Sequence, residues 1–395
     1  MKTPVYLDNH ATTRVDPRVV EAMAPLMLEE YGNAASRQHD FGWKAEAAVE
    51  IARERIARLV GAKPEQVVFT SGATESVNLA LKGAAEAYHA RGNHVVIAAT
   101  EHRAVLDTAA RLRQCGFEVT TLGVDGSGMV DPAAVEDAIT SRTILVSVMA
   151  ANNEIGTIAP VAAVGAVCRE REVLFHTDAA QAGGKIPLNV DAMNIDLLSL
   201  SAHKMYGPKG VGALVVRPGV KIVPQMDGGG HENGLRSGTL NVPAIAGFGL
   251  AADIAAAEMN RESSRLRAQR DRLVGGLAGA IDGIRVNGHP TERLPQNANI
   301  TFPGVTADAL MMAMKDVAVS SGSACSSASP GPSHVLLAIG LSAEDARASL
   351  RFGLGRFTTD GEIEYAVRRV AETYHAVGER LHRHVHVHSS PVKDP

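Results

Sequence analysis

Residues 195–210 read IDLLSLSAHKMYGPKG. The apolar run Leu197–Ser201 gives way at once to Ala202-His203-Lys204 and then to a turn rich in glycine and proline. A short apolar run bounded in this way reads as a strand buried on both faces, the habit of parallel sheets covered by helices. A lysine at the end of such a strand lies beside buried surface. Loss of hydration there lowers an amine's pKa, as Schiff-base chemistry prefers.

The same texture extends in both directions. Strand-like runs at Val67–Thr70, Val95–Ala99, Thr143–Met149, Val173–His176 and Val211–Arg217 alternate with helix-like segments at Trp43–Val60, Val77–Tyr88, Val105–Gln114 and Val161–Arg171. This order predicts an α/β domain with a mostly parallel, doubly covered sheet. After about residue 250 a long Ala-, Arg- and Glu-rich helical stretch, Ala251–Ala280, leads into strand candidates at Ile284–Val286, Asn299–Phe302, Val317–Ser320 and Ser349–Phe352. Helices fit Ala307–Met314, Pro332–Ile339 and Asp360–Leu381. The second part reads as a smaller α+β unit. The division expected is a large domain over 15–255, and a small one formed by 1–14 with 256–395.

Ligands of open parallel sheets gather at the carboxyl ends of the strands. Here those ends carry Ser71-Gly72-Ala73-Thr74, Glu101-His102, Asn152-Asn153-Glu154, Asp178 with Gln181, and His203-Lys204. Small residues opening a helix offer main-chain N–H groups to a phosphate. An aspartate can pair with a protonated ring nitrogen, and a lysine can join an aldehyde. Phosphate, ring nitrogen and aldehyde are the handles of pyridoxal phosphate. Each feature alone has a plainer reading as a helix cap or a solvated charge; the combination is what points to the cofactor.

Bulk properties exclude little but agree. The chain has 395 residues, a net charge of −4 and 45% hydrophobic residues, a balance that suggests neither a nucleic-acid nor a membrane surface. No stretch reads as a membrane span, and MKTPVYLDNHATT does not read as a presequence. Three scattered cysteines make no disulfide framework, so a reducing cytoplasm is expected. Cys115 and Cys168 fall in helical segments and read as packing residues. Cys325 differs: it sits in SSGSACSSASPG, residues 320–331, among serines and glycines that give little to bury it.

With these stretches assembled, the chain resembles the cysteine desulfurases of the NifS/IscS type, fold type I pyridoxal-phosphate enzymes of the class-V aminotransferase family. The resemblance is carried by YLDNHATTRVDP (6–17), GNAASRQHDFG (32–42), FTSGATES (69–76), TEHRAVLD (100–107), NNEIG (152–156), HTDAAQAGGK (176–185), SAHKMYGPKG (201–210), GGGHENGLRSGTLN (228–241), SSGSACSSAS (320–329) and RFGLGRFTT (351–359). It covers nearly the whole chain. It implies a large domain with a seven-stranded-type sheet and a smaller α+β domain carrying a mobile cysteine loop, about 321–332.

The resemblance also implies roles. Lys204 would hold pyridoxal 5'-phosphate, Asp178 would pair with its ring nitrogen, and His102 would stack on the ring and shuttle protons. Asn153 and Gln181 would bond the ring hydroxyl side. Ala73, Thr74, Ser201 and His203 would surround the phosphate, and Thr239 would reach the phosphate of a second subunit, which makes a homodimer. Arg351 would clamp the carboxylate of L-cysteine, assisted by Asn33, with Arg356 a competitor for that task. Cys325 would take the sulfur as a persulfide, release alanine, and pass the sulfur to an iron–sulfur scaffold protein or another acceptor. It could also transiently ligate a cluster there; no other metal site is implied. A selenocysteine lyase or a Suf-type desulfurase of the same fold is the alternative.

Two departures stand out. Ala34 replaces the proline typical after the GN pair. The C-terminus, LHRHVHVHSSPVKDP, is unlike that of members which dock a scaffold; its four histidines, His382, His384, His386 and His388, could hold a metal, and a surface tail is the plainer reading.

Overall fold

The computed structural model describes residues 3–321 and 331–388, with side chains described as far as residue 380. The chain enters on β1 (Val5–Tyr6), then α1 (Pro17–Leu28) and α2 (Asp40–Val60). An α/β series follows: β2 (Val67–Thr70), α3 (Ala73–Ala87), β3 (His94–Ala98), α4 (Arg103–Gln114), β4 (Glu118–Leu122), α5 (Pro132–Ala138), β5 (Thr143–Ser147), α6 (Val161–Glu170), β6 (Leu174–Asp178), β7 (Leu197–Ser201) and β8 (Gly212–Val216). The long α7 (Val242–Ala280) leads to β9 (Arg285–Asn287), β10 (Asn297–Thr301), α8 (Ala307–Ala313), β11 (Val317–Ala318), β12 (Ser320–Ser321), α9 (His334–Ala338), α10 (Ala343–Arg347), β13 (Ser349–Gly353) and α11 (Asp360–His388).

The central sheet has seven strands in the order β2-β8-β7-β6-β5-β3-β4. All neighbours are parallel except β8, which runs antiparallel to both β2 and β7. This is the expected α/β sheet. The edge strand β4 escaped the sequence reading, because EVTTL is half exposed and lacks the continuous apolar run of its neighbours. Strand residues alternate between two cores, as the pleat requires. Val96, Val146, Phe175 and Leu198 join one core with α2 and the first half of α7. Val95, Ile97, Leu145 and Leu197 join the other with α3 and α4.

A second sheet, β12-β13-β10-β9, is antiparallel and covers its own core. Helix α7 serves both units. Ile245, Phe248 and Ala252 face the first core, whereas Leu266, Leu273 and Leu277 face the second with Ile300, Phe352 and Ile363. The expectation that no stretch could span a membrane meets an exception here. Part of α7 is long and apolar enough by composition, and more than half of that window is buried. It is a shared core helix in this fold, lying against α1 and α2.

Candidate active site

The strand ends converge on one cavity of about 480 Å³. From β7 come Ser201, His203 and Lys204. The amine of Lys204 donates to the main-chain oxygens of His10 and, at 2.8 Å, Ala11. His203 Nδ1 lies 3.1 Å from Thr12 Oγ1. Burial, with Lys204 and Lys209 close by, brings its pKa down to about 4, so this imidazole is neutral at pH 7.

Strand β6 ends on Asp178, which is buried and whose Oδ1 accepts the Ala180 N–H at 2.9 Å. Burial raises its pKa, and the nearby charges of His102 and Lys204 oppose that rise. Such a carboxylate is stabilised by a cationic N–H in the cavity. Beneath it Glu101 is fully buried; Oε1 accepts the Met149 N–H at 2.6 Å and Oε2 has no partner among the described residues. Burial raises its pKa well above the usual range, and the charge of Asp178 pushes the same way.

The N-terminus of α3 opens on the same cavity through Gly72, Ala73 and Thr74, and Gly72 provides no side-chain cap. Strand β8 passes close behind it. A Cβ on Gly212 would come within 2.6 Å of Gly72 Cα, so the cradle needs a glycine there. His102 caps α4, its Nδ1 accepting the Ala104 N–H at 3.1 Å. In NNEIG the first asparagine is structural, Asn152 Oδ1 taking the N–H groups of Glu154 and Ile155, while Asn153 lines the cavity. Gln181 and Arg351 complete the wall.

Ten sequence-read residues thus meet in one place: Ala73, Thr74, His102, Asn153, Asp178, Gln181, Ser201, His203, Lys204 and Arg351. Asn33 and Thr239 are exposed and do not line the cavity. The Asn33 side chain accepts the Ala35 N–H at 2.9 Å. Arg356 is committed elsewhere, its guanidinium held by Asp16 at 2.9 Å and Glu262 at 2.7 Å. Cys325 and the loop about it lie outside the described residues, as do the side chains of the four C-terminal histidines. No cluster able to hold a metal occurs among the described residues. The motifs assign no task to Asp8, His10 or Glu154, whose partners are too distant in sequence to be read from spacing.

An amine, a buried carboxylate, a neutral imidazole and an uncapped helix N-terminus fit the aldehyde, ring nitrogen and phosphate of pyridoxal phosphate. Fold and site together define a fold type I pyridoxal-phosphate enzyme. The aminotransferase class-V family model matches residues 5–366. The chain is 58% identical over 374 residues to the cysteine desulfurase IscS of Anaeromyxobacter dehalogenans (strain 2CP-C), covering 94% of this chain and 93% of that one. Among solved structures, a NifS-like protein superposes with a TM-score of 0.87 at 38% identity, covering 93% and 98% of the two chains. SspA in complex with cysteine does so at 0.80 and 38%, covering 90% and 100%. The chain belongs to the class-V aminotransferase family, in its cysteine desulfurase branch.

Proposed function

We propose that this protein is a cysteine desulfurase that takes sulfur from L-cysteine, carries it as a persulfide on Cys325, and releases L-alanine, supplying sulfur for iron–sulfur cluster assembly. The observation that carries the reading is the meeting of Lys204, Asp178, His102 and Arg351 in one cavity. The IscS relatives favour it over a selenocysteine lyase or a Suf-type enzyme. One structural neighbour was solved with cysteine bound.

Bound pyridoxal phosphate supplies an electron sink that weakens the bonds at the substrate Cα and Cβ. Lys204 would be its covalent anchor, Asp178 would hold its ring nitrogen, Asn153 and Gln181 would bond its hydroxyl side, and the α3 N-terminus, with Ser201 and His203, would hold its phosphate. Arg351 orients the substrate carboxylate. The Lys204 amine moves the proton at Cα, and His102 would stack on the ring and shuttle protons. The thiolate of Cys325 attacks the substrate sulfur; an S–S bond forms, the C–S bond breaks, and its electron pair stays on carbon, which is protonated as alanine.

The proposal includes a homodimer in which Thr239 completes the second subunit's site, a scaffold protein or other acceptor for the sulfur, and a cytoplasmic location. It divides the chain into a large domain, 15–255, and a small one made of 1–14 and 256–395. The test is alanine and sulfide formation from L-cysteine with an added thiol to reduce the persulfide. Wild type should form both, Lys204→Ala neither, and Cys325→Ala should form no protein persulfide. Full persulfide yield in Cys325→Ala would overturn the assignment.

A further inference from the structure

His10 lies where the site on the central sheet meets the smaller sheet. It is 1% exposed and lines the cavity. Its main-chain oxygen can only accept, and it takes the amine of Lys204 and, at 3.0 Å, the amide nitrogen of Gln181. With that nitrogen committed, Gln181 Oε1, 3.0 Å from His10 Nδ1, is an acceptor, so Nδ1 carries the ring proton. Nε2 is then a lone pair and accepts from Asn297 Nδ2 at 3.1 Å. The same amide nitrogen donates to the Glu154 main-chain oxygen, also at 3.1 Å. With the Asn297 amide turned so that its nitrogen reaches the Glu154 oxygen and its buried Oδ1 has no partner among the described residues, a second ring proton would set N–H against N–H, and the neutral imidazole fits. Burial, helped by the charge of Arg351, brings the pKa down to about 3 in agreement.

We propose that His10 is a positioning residue that sets the spacing between Lys204 and Arg351. Lys204 follows β7 and rests on the His10 carbonyl. Arg351 lies on β13, whose neighbour β10 carries Asn297, paired in register with Gly353. The His10 ring bridges the two sheets, one nitrogen on Gln181 and the other on Asn297. A substrate gripped by Arg351 must present its Cα to the Lys204 amine. A misplacement of about 1 Å at such a site can cost roughly a hundredfold in rate. The inference rests on the reading of Lys204 and Arg351 given above.

The experiment uses the full chain, loaded with pyridoxal phosphate. In nitrogen-15 NMR of labelled histidines, His10, identified by the signal lost on its replacement, should remain a neutral Nδ1–H tautomer from pH 5 to 9. A titrating His10 or an Nε2–H tautomer overturns the bridge. In His10→Ala, kcat should fall about tenfold with the KM for L-cysteine within threefold, and the pH midpoint of the cofactor's visible band should move. Unchanged kcat and midpoint in a folded, fully loaded variant overturn the spacing role. If His10→Ala does not fold, His10→Gln decides, because that side chain reaches Gln181 or Asn297 but not both. It should show a smaller loss of the same kind, and wild-type values overturn the proposal. A wild type that takes up no pyridoxal phosphate overturns the functional reading and the spacing role with it, while the tautomer still judges the bridge.

Discussion

Arg351 and Asp8 form an ion pair, Nη2 to Oδ1 at 3.0 Å, with the guanidinium 1% exposed. Nη1 donates to the Asn153 main-chain oxygen at 2.9 Å, and Nη2 also donates to Ser320 Oγ at 2.8 Å. The Ser320 hydroxyl passes the interaction on, donating to Asp8 at 2.9 Å. Only Nε has no partner among the described residues. Arg351 is thus oriented before substrate arrives, with its buried Nε–H still to be used. Arg351→Lys keeps the charge but loses the planar fork. Steady-state kinetics should show the KM for L-cysteine raised roughly tenfold, about 1.4 kcal/mol, with kcat changed less than threefold. A loss confined to kcat would show that Arg351 does not bind the carboxylate.

Glu154 gives a pH dependence of defined sign. It is buried, and its Oε2 accepts from Ser333 Oγ at 2.5 Å. Burial raises its pKa to about 7, against the opposing pull of Ser333, Arg351 and His102. The folded state therefore keeps a proton that the unfolded chain releases near its ordinary pKa of about 4.5. Between those values the folded state binds more protons, so this group's contribution to stability falls as pH rises from about 4.5 to 7 and is level above that. At about 1.4 kcal/mol per unit, the whole change is on the order of 3 kcal/mol. Glu154→Gln keeps an acceptor for Ser333 and removes the ionisation. Urea unfolding at pH 5 and pH 8 should show the variant gaining on wild type by about 2 kcal/mol or more at the higher pH. A gap independent of pH would rule out a titrating Glu154.

Tyr206 is held between two cations, with Lys185 Nζ 4.0 Å and the Arg356 guanidinium 4.3 Å from its ring centroid. It adopts a left-handed backbone, φ +66°, and its hydroxyl accepts the Arg356 main-chain N–H at 2.7 Å. Tyr206→Phe keeps the ring and strands that N–H, which should cost about 1–3 kcal/mol. Tyr206→Leu also loses both cation contacts and should cost more. Urea unfolding orders the pair; equal losses would show that the ring contributes nothing beyond its bulk.

The sequence showed the site wherever a strand end marked it. Lys204, Asp178 and His102 each follow a buried apolar run, and the pleat and crossover rules put such ends on one edge. It could not choose between Arg351 and Arg356, five residues apart on one stretch. The fold separates them by ending β13 at Gly353, which leaves Arg351 on the strand facing the cavity and Arg356 beyond it among Asp16 and Glu262. Nor could it show that Asp8 holds Arg351 or that His10 meets Gln181. Those contacts join residues more than 150 positions apart, and no local period records them. Helix α7 begins at Val242, ahead of the Ala251 that the composition suggests; its apolar face changes partner midway, so no single stripe runs its length.

Helix α7 also supplies a matched pair of glycines with opposite expected signs. A Cβ on Gly249 would fall 2.4 Å from Ala52 Cα in α2, a backbone atom that cannot yield without moving a helix. A Cβ on Gly275, further along the same helix and exposed, meets nothing within 4 Å. Intrinsic propensity favours alanine over glycine in a helix by about 1 kcal/mol at either position. At Gly275 nothing opposes that gain, so Gly275→Ala should raise stability by up to about 1 kcal/mol. At Gly249 overpacking costs about 1–3 kcal/mol or more, and a backbone contact this close belongs at the upper end, so Gly249→Ala should be destabilising on balance. Urea midpoints of the two variants, read against wild type at equal m-value, should move in opposite directions. A Gly249→Ala midpoint at or above that of wild type would mean that α2 and α7 are not in close contact at Ala52.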